Sequence, residues 1–155
     1  MAGILKSTAG VSTNKRLFKK RFAIVVAEWN EAITEALYQG ALKGLIDLGA
    51  NRSNIERINV PGTFELTLGA LRAAQRKNID AVICLGCVIQ GETPHFDYIC
   101  QAAAYGITEV NIKTGKPVIF GVLTTLNKKQ ALERAGGKYG NKGEEAAVTA
   151  VKMLF

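Results

Sequence analysis

Apolar and polar positions alternate along this chain between two periods. Residues 22–27 (FAIVVA), 81–88 (AVICLGCV) and 117–125 (PVIFGVLTT) are nearly unbroken apolar runs of strand length. Such runs suit strands covered on both faces, as in a parallel sheet. Residues 55–60 form a fourth strand-like run, closed by Pro61, Gly62 and Thr63. Between the runs the period is helical. Ile33, Leu37, Ala41, Leu45 and Leu48 recur on one face of a helix that Gly49 would stop. A second helix is predicted over 64–77, with Leu68, Leu71 and Ala74 or Gln75 inward, and a third over 94–112. A short helix over 127–135 would bury Leu132 and Ala135, and a last one spans 143–154 after a glycine-rich link.

This β-α repetition predicts an α/β protein, a three-layer α/β/α sandwich around a mainly parallel four-stranded sheet, flavodoxin-like in class. Ligands in such folds bind outside the carboxyl ends of the strands. Those ends hold Trp29 and Asn30, residues 62–65, residues 87–90, and Thr124 with Thr125. After the third strand, Gly91 offers a turn, Thr93 an N-cap and Pro94 a first helical residue. The unpaired N–H groups of that helix start would favour an anion such as phosphate, and His95, the sole histidine, sits there.

Length bounds the rest: 155 residues make one domain, read as residues 21–155 behind a basic arm over 1–20. The net charge of +7 is mostly a property of that arm. Residues 1–21 carry six basic groups and no acid, which leaves 14 basic against 13 acidic groups beyond them. The arm reads as a solvated, partly disordered segment, or one that pairs with a neighbouring subunit, so a nucleic-acid partner is not predicted. A transit peptide would need an amphipathic pattern that is missing. No apolar stretch reaches membrane-spanning length and no signal-peptide core opens the chain, so the expected setting is cytoplasmic. Cys84, Cys87 and Cys100 read as reduced structural thiols, because Cys84 and Cys87 would face opposite sides of one strand and nothing completes a metal site.

Each candidate residue has an ordinary role beside a chemical one. Trp29 could pack a helix on the sheet or stack on a flat heterocycle. Glu65 is favoured in a first helical turn by the dipole alone, yet could hold ligand hydroxyls. Arg134 suits a helix end and could equally grip phosphate bidentately. Phe120, inside the fourth strand, would by itself be a core residue. The segment 137–143 lacks P-loop spacing, no G-x-G-x-x-G follows a strand, and there is no G-x-S-x-G elbow.

Taken together, GTFE at 62–65, GCVIQGETPHFDY at 86–98, FGVLTT at 120–125, ERAG at 133–136 and GNKG at 140–143 resemble the 6,7-dimethyl-8-ribityllumazine synthase family. The resemblance runs from about residue 21 to the end. It implies condensation of two small molecules, 5-amino-6-(D-ribitylamino)uracil and 3,4-dihydroxy-2-butanone 4-phosphate, without metal or organic cofactor. Position by position it implies that Trp29 stacks on the uracil ring, where many members have phenylalanine. Thr63, Phe64 and Glu65 would hold the pyrimidine and its ribityl chain, with Cys87, Val88 and Ile89 meeting the ring edge. Glu92 and Thr93 would sit at the butanone phosphate, Glu92 through its backbone, since its carboxylate would repel the anion. His95 would be the proton donor and Arg134 the phosphate arginine, while Lys138 and Lys142 have no assigned part. Phe120 would close over the pyrimidine of an adjacent subunit. The resemblance further implies a homopentamer, a shell of sixty subunits, and riboflavin synthase as a partner. The rival classes are a flavin- or nucleotide-carrying module and a purely structural shell protein.

Overall fold

The computed structural model describes residues 15–155. In chain order its elements are β1 (Phe22–Ala27), α1 (Glu31–Asp47), β2 (Ile55–Val60), α2 (Leu66–Ala74), β3 (Ala81–Ile89), α3 (His95–Thr114), β4 (Val118–Thr125), α4 (Lys128–Arg134), β5 (Ala135–Gly137), β6 (Gly140–Asn141) and α5 (Lys142–Leu154). The first four strands make one parallel sheet in the order β2-β1-β3-β4. Alternation along β1 explains the layers. Phe22, Ile24 and Val26 pack under α1 and α5, whereas Ala23, Val25 and Ala27 pack under α2 and α3. All six are at most 1% exposed. The architecture is the three-layer sandwich that the periodicity predicts. Cys84 and Cys87 fall into opposite cores, as strand geometry requires.

Two inward faces differ in part from the prediction. On α2 the buried residues are Leu66, Gly69, Ala70, Ala73 and Ala74, and Leu68 is 51% exposed. A Cβ at Gly69 would stand 2.8 Å from Val60 Cγ1 and 2.9 Å from Val25 Cγ1. Over Val25 and Val60 the helix lies so close to the sheet that glycine and alanine fill the contact. Leu66 at its start is fully buried and Leu71 partly buried against the same core, while Leu68 turns out. On α4 it is Ala131 that is fully buried, and Leu132 is exposed. Ala135 has passed into β5, half-buried.

Three local features also differ. The glycine-rich link folds as the antiparallel pair β5–β6, with Gly136 and Gly140 in the left-handed region. Helix α3 begins with Pro94 as N-cap and no side-chain cap, so Thr93 does not cap it and Pro94 is not its first helical residue. Gly91 has no left-handed φ, and a Cβ there would meet nothing within 4 Å. The turn therefore does not require glycine.

Ahead of β1, a 3-10 turn at Leu17–Lys19 buries Leu17 completely, and Lys20 Nζ pairs with Asp80 Oδ1 at 2.9 Å. The basic arm and its expected pairing with a neighbour lie mostly outside the described residues. Among those described, no helix is long and apolar enough to cross a membrane.

The tightest inter-helix contact lies between α1 and α5. A Cβ on Gly143 would fall 1.9 Å from Leu37 O. Gly143→Ala should therefore cost about 2–4 kcal/mol of stability, since backbone faces the intruding methyl and cannot move aside. Gly91→Ala should change stability by no more than about 0.5 kcal/mol. Denaturant unfolding of the two variants checks both, and equal midpoints would refute the packing argument.

Candidate functional site

The order β2-β1-β3-β4 sets a topological switch point between β1 and β3. Helix α1 leaves β1 on one face toward β2, and α2 returns on the other face to reach β3. The chain departs to opposite sides, so a crevice opens beyond the carboxyl ends of these two strands. It holds a cleft of about 720 Å³. Lining it are Trp29, Asn30, residues 62–65, Cys87, Val88, Ile89, His95 and Ile99.

Local bonding explains how each group is held. Trp29 is 74% exposed, so it is not a packing residue, and its N–H donates to Pro61 O at 3.1 Å. Asn30 adopts φ 61° in the left-handed region, and its Nδ2 donates to Cys87 O at 2.9 Å. Glu65 N donates to Gly62 O at 3.2 Å, closing a turn ahead of α2. A Cβ on Gly62 would lie 3.0 Å from Glu65 Oε2 and 3.3 Å from Trp29 Cδ1. The carboxylate and the indole thus flank bare backbone. Glu65 does not spend its carboxylate capping α2. Thr63 is buried because β3 has glycine beneath it: a Cβ on Gly86 would stand 2.7 Å from Thr63 Oγ1. Phe64 projects into solvent at the rim.

Val88 and Ile89 are half-buried where β3 leaves the core. Burial pushes the Cys87 thiol up to about 11 and the Cys84 thiol to about 12, so neither is a nucleophile. His95, exposed, is the first residue of α3. Glu92 and Thr93 are exposed in the connection before it and line neither this cleft nor the hollow described next.

Phe120 and Arg134 lie elsewhere. Both line a second hollow of about 600 Å³ along β4, which is an edge strand. Phe120 is 42% exposed there, not a core residue. The Arg134 guanidinium stacks 4.8 Å from the Tyr139 ring centroid, and its Nη1 donates to Gln130 O at 3.0 Å. It has no carboxylate partner among the described residues. Lys142 lines the same hollow and is held by Glu145 at 2.8 Å. Lys138 lies over Tyr139 at 5.2 Å. Within one copy the two hollows share no lining residue. Sequence reasoning placed Asn30 at a ligand-facing strand end but gave it no role, because that role depends on a φ angle and a partner 57 positions away.

The fold is a doubly wound α/β sandwich with an open cleft at its switch point. The sequence profile of 6,7-dimethyl-8-ribityllumazine synthase matches residues 19–155. The chain is 65% identical over 150 residues to the 6,7-dimethyl-8-ribityllumazine synthase of Cytophaga hutchinsonii, covering 97% of this chain and 93% of that one. The enzymes of the same name from Porphyromonas gingivalis and Bacteroides fragilis are 57% and 52% identical, covering 86% of this chain and 83% and 94% of theirs. The chain belongs to the 6,7-dimethyl-8-ribityllumazine synthase family. It is a transferase of riboflavin biosynthesis, condensing 5-amino-6-(D-ribitylamino)uracil with 3,4-dihydroxy-2-butanone 4-phosphate and releasing phosphate and water.

The raised thiols give a direct test. In the folded protein at pH 8, an alkylating reagent should leave Cys84 and Cys87 unmodified, and denaturation should expose both. Mass spectrometry of the digests reads the result, and rapid native labelling of Cys87 would show its environment to be wetter than described.

Proposed function

We propose that the condensation takes place in a site completed by two copies of the chain, one giving the cleft and its neighbour giving the β4 hollow. The observation that carries this is the position of Phe120 and Arg134. An exposed aromatic ring on the edge strand β4 and, at the end of α4, a cation with no carboxylate partner among the described residues line one hollow, apart from the cleft. Trp29 stacks on the pyrimidine, and Phe120 of the neighbour closes over it. Thr63, Phe64 and the Glu65 carboxylate take the pyrimidine and its ribityl hydroxyls, and the backbone of Cys87, Val88 and Ile89 meets the ring edge. The butanone phosphate lies at the uncapped start of α3, against the backbone of Glu92 and Thr93, with Arg134 across from it.

His95 then stands beside the reacting carbons. The pyrimidine's amine adds to the ketone and a first water leaves; phosphate is eliminated; the ribityl-bearing nitrogen then closes the ring on the remaining carbonyl and a second water leaves. Each step moves a proton, and a positioned imidazole accelerates such transfer by about 10²–10⁴-fold. Holding both substrates in reacting geometry contributes more, ~7–11 kcal/mol. The assembly is a ring of five, with the short link over 136–143 favouring closure of rings into a sixty-subunit shell. The enzyme works in the cytoplasm, where riboflavin synthase takes up its product.

His95→Ala should lower turnover by about 10²–10⁴-fold with pyrimidine affinity little changed. Arg134→Ala should weaken the phosphorylated substrate by about 1.5–3 kcal/mol and spare the pyrimidine. If sites are shared, co-refolding the two defective variants in equal amounts should restore about a quarter of the sites, since the lesions then fall on different copies. Absence of rescue, or an active monomer in sedimentation, would refute the shared site.

A further inference from the structure

We propose that Asn30 is a positioning residue for the pyrimidine substrate, acting through its tie to Cys87. The inference rests on the reading of the cleft as the pyrimidine site. Asn30 is the one non-glycine residue with positive φ among the described residues. Asparagine tolerates that region better than most side chains, so the position is open to few others. It serves as N-cap of α1, yet its side chain makes no capping bond. The amide is spent instead across the switch point, where Nδ2 donates to Cys87 O at 2.9 Å.

That single bond joins the two strand ends between which a flat ring must fit. On one side it fixes the turn that carries Trp29, whose other anchor is the bond from its N–H to Pro61 O. On the other it reaches Cys87 in β3, a strand fixed by β4 through Ile89 and Thr125, just before Val88 and Ile89 emerge from the core. The spacing between the indole and the β3 edge is thereby set before substrate arrives. The β3 wall is held by its pairing with β4, so without the tie the pyrimidine must order the Trp29 turn against it, a cost that appears in binding. The butanone phosphate, placed at the α3 start and Arg134, makes no use of it.

The test uses the full-length protein and the sole tryptophan as reporter, because a stacking pyrimidine should quench Trp29 fluorescence. Asn30→Gly keeps the left-handed backbone and deletes the tie. Asn30→Asp keeps the shape and sets a carboxylate against the Cys87 carbonyl. In Asn30→Gly the pyrimidine Kd and KM should rise by about fivefold to tenfold, with kcat and the KM of the butanone phosphate changed by less than about twofold. Asn30→Asp should lose more than Asn30→Gly. Both should keep wild-type circular dichroism and oligomer size. Wild-type quenching in both variants, or equal rises in the two KM values, would overturn the positioning role. If pyrimidine fails to quench the wild type at all, the cleft reading itself falls, which separates the two failures.

Discussion

Strands β1 and β3 are covered on both faces, and where they are forced to stop determines the position of the site. Each apolar side chain driven fully into such a core contributes about 1.5–3 kcal/mol, so the register of these two strands admits no slip. Beyond Ala27 and Cys87 the cover ends, because the helices that follow leave on opposite faces. Backbone groups and half-buried side chains emerge together there. The cleft is therefore a consequence of close packing and chain direction.

Close packing also explains the chain's use of small residues. Gly69 lets α2 lie on Val25 and Val60, Gly86 makes room for Thr63, and Gly143 brings α5 against α1. At the ends of elements, asparagine takes over. Asn111 Nδ2 donates to Ile107 O and Val118 O, while its Oδ1 accepts from Val118 N, locking the end of α3 to the start of β4. Asn141 Nδ2 donates to Ala36 O and its Oδ1 accepts from Gly143 N, which seats the β5–β6 pair beside α1. Asn30 belongs to the same set, with the difference that its tie crosses the cleft. Short amides reach backbone groups that neither helix nor sheet can satisfy.

The division of functional groups between two hollows follows from the sheet's edge. β4 has a neighbour on one side only, and although Val118 and Val122 on the same face are buried, Phe120 between them is 42% exposed. Phe120, with Arg134 at the end of α4, lines the hollow along that edge in a lone copy. Under the proposed shared site, a second copy of the chain covers it.

Much of this was legible in the sequence because it depends on local period. Unbroken apolar runs announced the buried strands, and i, i+4 spacing announced the inward face of α1, since burial on one or two faces writes itself directly into residue order. The cleft residues at the strand ends were legible for the same reason: the parallel fold dictates which ends face ligand. The inward faces of α2 and α4 were legible only in part: Ala74 and Leu71 lie against the core as their spacing implied, but Leu68 and Leu132 turn out, because leucine reads as core whenever distance is unknown. Nor could the sequence show that Asn30 would sit at positive φ against a carbonyl 57 residues away, or that Arg134 would join Phe120 in the β4 hollow, apart from His95. Those facts depend on where separate elements meet, and residue order carries no distances.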